Sequence, residues 1–173
     1  KMFLDRYYGS AARARMATMI DRLLDAYRKD IAAADWLSPE ARREARAKLD
    51  AGLVVTGASN RPRSLESLVV DEKDAFGNGW RAQALYLRDE LSRVGVPVDR
   101  ERFFEPLPQE LDGFGSKSMN ATGFTAGFLQ PPLLDPEMDD AVNYGGLGSV
   151  IGHELSHQLD DEGRKYDARG SQR

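Results

Sequence analysis

The chain has 173 residues, 41% of them hydrophobic, enough for one core or two small ones, and no stretch approaches the ~20 apolar residues of a membrane span. Its 24 basic and 28 acidic residues leave a formal charge of −4, which argues against a dedicated nucleic-acid surface and against strong attraction to a membrane. Cysteine is absent, so disulfides and thiolate metal ligands are excluded and the redox compartment stays open.

Lys1-Met2-Phe3-Leu4 carries no charged-then-apolar export signal, and the sequence stops a short polar run after its densest motif. Both termini therefore read as cuts through a larger protein. From Ser10 to about Ala34 apolar residues recur at Met16, Met19/Ile20, Leu23/Leu24, Tyr27 and Ile31, the period of a long amphipathic helix. Asp35-Trp36-Leu37 breaks it. Ser38-Pro39 supplies a cap followed by proline at the first helical position, opening a second helix that runs to about Asp50 and stops before Gly52. Its arginines and glutamates read as a solvated face. Leu53 to Thr56 is short, β-branched and bounded by glycines, which predicts a strand. Ala58 to Ser64 reads as loop.

A third helix is expected from Ala75 to Val94, with Trp80, Ala84, Leu87 and Leu91 along one face as core packing rather than a cofactor box. Pro106 and Pro108 predict an extended surface run from Asp99 to Glu110, anchored by Phe103-Phe104. Between Phe114 and Gln130 glycines and small residues alternate with Phe124, Phe128 and Leu129, a pattern of short strands and tight turns. Pro131-Pro132 then forbids further pairing, which predicts that the last strand is an edge.

The chemistry concentrates in Asn143 to Gly163, which holds both histidines of the chain within His153-Glu154-Leu155-Ser156-His157. On a helix from Gly148 or Ser149 to about Leu159, histidines at i and i+4 stack one turn apart and both imidazoles can reach one ion. Glu154 lies about 100° round the helix from His153, where the general base of metal-assisted hydrolysis is needed. His-Glu-x-x-His also arises by chance, and many such matches bind no metal. Here Ile151, Leu155 and their apolar neighbours can bury the opposite side of the helix. Gly145, Gly146, Gly148 and Gly152 cost helix propensity, about 1 kcal/mol each against alanine, as expected where another backbone or a substrate comes close.

Ala126-Gly127-Phe128-Leu129-Gln130-Pro131-Pro132, Asn143-Tyr144-Gly145-Gly146-Leu147-Gly148, Val150-Ile151-Gly152-His153-Glu154-Leu155-Ser156-His157, and then Asp160-Asp161 and Gly163, in that order and spacing, resemble the neprilysin family of zinc metallopeptidases. The resemblance is dense from about Val96 to Gly163 and weaker upstream. It implies an α+β fold, mainly α with a small sheet, like an incomplete thermolysin-like catalytic domain. Residues 1–95 would be a helical region with one strand, part of a larger helical domain, and 96–173 the N-terminal part of the catalytic domain. His153 and His157 are then ligands of one zinc ion, and Glu154 polarises the attacking water. The third ligand, a glutamate in a Glu-x-x-x-Asp motif, is expected from the remainder of the same polypeptide. Asp160 or Glu162 as a substitute is poorer, because Asp160 at i+7 lies beyond His157. Asp160 or Asp161 fits better as the outer partner of a ligating imidazole.

Counted back from Gln130, the family's Asn-Ala-aromatic substrate-binding triplet falls on Asp112-Gly113-Phe114. An ionised aspartate only accepts hydrogen bonds, whereas an asparagine also donates. Thr125 stands where the family usually has proline, leaving an N–H to pair with a ligand or face water. The resulting expectation is a zinc endopeptidase acting on oligopeptides. A binding protein that keeps the fold without catalysis, and a zinc hydrolase of the same fold with an unusual substrate, are the alternatives. The resemblance points outside the cytoplasm, with a cytoplasmic setting also open.

Overall fold

Helix α2, Ser10–Ala33, follows a short helix α1, Met2–Tyr7, and forms one wall of the core. Its periodic apolar face buries Met16, Met19 and Ile20 against Phe124, Leu134, Leu147, Ile151 and Leu155. Each such side chain, fully buried, contributes about 1.5–3 kcal/mol. The chain breaks at Ala34, turns through Leu37, and enters α3, Pro39–Ala51, where the Ser38 hydroxyl accepts the Ala41 N–H at 3.1 Å. This computed structural model describes residues 2–59, 61–102 and 106–173. Phe103 and Phe104, the expected anchor of the proline-bearing run, lie outside the described residues.

Strand β1, Leu53–Gly57, pairs in parallel with β3, Ala121–Thr125, in the register Leu53↔Ala121 to Gly57↔Thr125. Strand β2, Gly113–Ser116, pairs antiparallel with the other side of β3, from Gly113↔Phe124 to Ser116↔Ala121. The order β1-β3-β2 makes β3 the central strand and buries all five of its residues. The expectation of an edge is thus overturned. Pro131 and Pro132 fall after the strand has ended, beyond a turn in which Phe128 N–H donates to the Thr125 carbonyl at 3.1 Å, so they never face the ladder. The Thr125 N–H faces neither ligand nor water, but donates to the Asp112 carbonyl at 2.9 Å. The segment before β2 is not simply extended either, since it holds a 3-10 turn at Arg100–Arg102 and a further turn closed by Glu110 N–H on the Leu107 carbonyl.

By contact, residues 1–60 with 100–173 form one compact unit and residues 61–99 another. The second contains α4, Ala75–Leu91, capped by Asp74 accepting the Gly77 N–H. No residue of α4 is buried, and Trp80, Leu87 and Leu91 are exposed, contrary to the expected core role. A unit this short encloses little apolar volume. Its internal ties are polar: Arg63 meets Asp89 at 2.9 Å and Glu90 at 2.8 Å, and stacks on the Tyr86 ring at 3.8 Å. No described helix is long and apolar enough to cross a membrane.

Candidate metal centre

The segment leading into the motif is continuous helix. A short α5, Asp140–Asn143, runs through a π-helical turn at Tyr144–Gly148 into α6, Ser149–Ser156. The extra residue of a π turn rotates the helix beyond it, and such turns occur often at functional sites. Close approach explains two of its glycines: a Cβ at Gly146 would stand 3.3 Å from the Leu133 carbonyl, and one at Gly148 3.2 Å from the Tyr144 ring. Gly145 and Gly152 face open space, so packing does not account for them.

Helix α6 ends three residues earlier than expected, yet His157 keeps helical backbone angles, φ −60° and ψ −18°. The i, i+4 relation therefore survives. Ile151 and Leu155 are buried on the core side, and the two imidazoles emerge on the other with Nε2 facing Nε2 at 3.0 Å and the rings nearly perpendicular, 80°. Two bonds anchor the helix: the Tyr27 hydroxyl donates to the Gly152 carbonyl at 2.7 Å, and Gln158 Nε2 to the Ala121 carbonyl at 3.2 Å. Nothing in the spacing of Tyr27 distinguishes this hydroxyl from ordinary core packing, which is why sequence reasoning missed it.

Asp160 decides which face His157 presents. One carboxylate oxygen lies 2.8 Å from His157 Nδ1, while the other accepts the backbone N–H groups of Gly163 at 2.6 Å and Glu162 at 3.0 Å. Those bonds, led by the Gly163 N–H and then by His157, hold the carboxyl down at about 2. Ionised Asp160 can only accept, so Nδ1 carries the proton and Nε2 of His157 presents its lone pair toward His153. Because the folded pKa is depressed, the associated stabilisation is present above about pH 4 and fades as pH falls toward the folded value. Asp161 is exposed, with its carboxylate bonded to no described residue, and Glu162 pairs with Lys165.

The donor set suits a divalent cation. His153, Glu154 and His157 each offer a ligand atom, all within 4.8 Å of one another. Two imidazole nitrogens on one tetrahedral zinc would be about 3.3 Å apart, given Zn–N of about 2.0–2.1 Å, close to the separation found.

Strand β2 passes beside this group. A Cβ added to Gly115 would stand 3.8 Å from Glu154 Oε2 and 3.4 Å from Gln158 Nε2, ordinary contact distances that place the strand directly beside the carboxylate. Asp112 directs its backbone groups at Thr125, and the alternation of an antiparallel ladder then turns the peptide groups of Gly113 and Gly115 to the side of β2 away from β3. Asp112 itself is exposed at the entry to the strand, with Gly113 and Phe114 partly buried behind it.

Known proteins resemble this chain along most of its length. Two models of Peptidase family M13 match, over residues 1–57 and 113–173. Human endothelin-converting enzyme-like 1 is 30% identical over 98% of this chain and 23% of its own length. The crystal structure of the Mycobacterium tuberculosis zinc metalloprotease Zmp1 in complex with an inhibitor superposes with a TM-score of 0.88 at 38% identity, covering 99% of this chain and 26% of that one. PEPO from Lactobacillus rhamnosis HN001 gives 0.91 at 31% identity, covering 99% and 28%. The chain thus spans about a quarter of the length of the curated relatives it matches. With both its ends matched by one family and its fold shared with zinc metalloproteases of that family, the chain belongs to peptidase family M13, the neprilysin family.

Proposed function

We propose that the protein is a zinc-dependent endopeptidase hydrolysing oligopeptides, with His153 and His157 as ligands of one zinc ion and Glu154 as general base. The observation that carries this reading is the pair of Nε2 atoms 3.0 Å apart with Glu154 in the same cluster, beside the edge of β2 away from β3. Bound there, zinc supplies the Lewis acidity that lowers the pKa of a water molecule to about 7 and polarises a carbonyl. Glu154 accepts the proton of the attacking water and delivers it to the nitrogen of the leaving amine. A peptide added as a strand to β2 offers its backbone to Gly113 and Gly115, which brings a scissile bond alongside Glu154. Asp112 and Phe114 flank that edge, and Asp112 favours hydrogen-bond donors or basic groups on the substrate over acidic ones.

The remainder of the same polypeptide supplies the third protein ligand, a glutamate. In this division residues 96–173 are the N-terminal part of the catalytic domain, and 1–95 belong to a helical domain whose residues 1–60 pack in one unit with residues 100–173. The test is Glu154→Gln in the full-length protein. Zinc content stays at the parental level, while the rate on a cleavable peptide falls by about 10²- to 10⁴-fold, since an amide cannot accept the proton. Loss of zinc in step with activity would make Glu154 a ligand and reject this assignment.

A further inference from the structure

Lys48 lies on α3 and is 4% exposed. Its sequence setting, Arg46-Ala47-Lys48-Leu49, reads as a solvated face, yet its ammonium points inward and donates to the carbonyl oxygens of Gly163 at 2.6 Å and Tyr166 at 2.8 Å. Burying an ammonium against carbonyls instead of a carboxylate is costly, and burial pushes its pKa down. A fold keeps such a group where it fixes something that apolar packing could not.

What it fixes is the turn behind His157. Gly163 accepts from Lys48 through its carbonyl and donates through its N–H to Asp160 Oδ1, whose partner oxygen Oδ2 meets His157 Nδ1 at 2.8 Å. The turn also packs tightly on the histidine backbone: a Cβ at Gly163 would stand 2.2 Å from the His157 carbonyl oxygen. The far end of the same turn, the Tyr166 carbonyl, is the second acceptor of Lys48. Helix α3 is tied in return, because Asn120 Nδ2 donates to the Lys48 carbonyl at 2.9 Å and to the Ala168 carbonyl at 3.1 Å.

We propose that Lys48 is a positioning residue of the metal centre, its ammonium holding the 160–166 turn so that Asp160 meets His157 Nδ1 and His157 presents Nε2 toward His153. The proposal rests on the reading of His153 and His157 as zinc ligands. It gives an otherwise unfavourable buried charge a function one bond removed from the outer partner of a ligand, the class of contact whose loss costs about 10–100-fold in metal affinity.

The test compares Lys48→Met with Leu49→Ala in the full-length protein. Leu49 is buried on the same helix, and its truncation loosens the core without removing a bond to the turn. Zinc affinity is measured by chelator competition, and exchange of the Glu162 and Gly163 amides by hydrogen–deuterium exchange of the metal-free protein. Lys48→Met lowers zinc affinity several-fold or more and speeds both amides roughly tenfold or more through loss of local protection, whereas Leu49→Ala moves both readouts at least several-fold less. If Lys48→Met does not fold, Lys48→Gln decides: a several-fold loss of affinity supports the role, and parental affinity overturns it. Zinc held equally by parent and Lys48→Met, or lost equally in Leu49→Ala, overturns the role of Lys48 alone. Absence of zinc from the parent overturns the metal centre and this role with it.

Discussion

Asp160 and Asp161 are adjacent and chemically identical, and sequence alone left them interchangeable as partners of a ligating imidazole. The turn separates them. Asp160 bonds His157 and two backbone N–H groups, while Asp161 faces solvent. Asp160→Ala should therefore lower zinc affinity about 10–100-fold, and Asp161→Ala should leave it unchanged, as read by chelator competition; equal effects would remove the hydrogen bond to His157 from the account. Asp112 is a residue-scale question of substrate choice. Its carboxylate is exposed beside the edge strand, where a charge is worth about 0.5–1 kcal/mol to a ligand. Asp112→Asn should cost a few-fold of the preference in kcat/KM for a peptide with a basic residue next to the scissile bond over one with an acidic residue. Identical ratios in mutant and parent would return Asp112 to an ordinary turn with Gly113.

At the scale of elements, the entry to β2 is pinned by Thr125, the last residue of its neighbour β3. The Thr125 hydroxyl donates to the Glu110 carbonyl at 2.6 Å and accepts the Asp112 N–H at 3.1 Å, and its own N–H donates to the Asp112 carbonyl. A proline there would lack both groups. Thr125→Val keeps the shape and leaves the Glu110 carbonyl and Asp112 N–H without that partner, a loss of about 0.5–1.5 kcal/mol for each partly buried bond, measurable by urea unfolding. It should also raise KM for peptides more than it lowers kcat, because the strand that receives the substrate backbone is loosened while Glu154 is untouched. A parental KM would detach Thr125 from substrate binding.

Elements with a strong period were legible in the sequence. Met16, Met19/Ile20 and Tyr27 marked α2, Ser38-Pro39 marked the start of α3, and Leu53 to Thr56 marked β1, all within a residue or two of their observed bounds. Sheet order was not legible, because Pro131-Pro132 shows only where pairing must stop and not which strands flank β3. The stripe on α4 misled for a related reason: periodicity reports an apolar face but not whether anything in the chain covers it. Lys48 was hidden because a lysine among arginines on a helix gives no sign of pointing inward until the turn that accepts its ammonium is placed.

For the whole molecule, the site depends on parts distant in sequence. Tyr27 of α2, Lys48 of α3, Gln158 after α6 and Gly115 of β2 converge on one short helix and the turn behind it, so the site is assembled from four separate segments of one unit. The most direct measurement is the zinc content of the full-length protein and of its His153→Ala variant, after dialysis against a weak chelator. One zinc per chain in the parent, and its loss in the variant with the fold retained, is the predicted result. A parent without zinc, or a variant that holds it as firmly as the parent, would contradict the account at its centre.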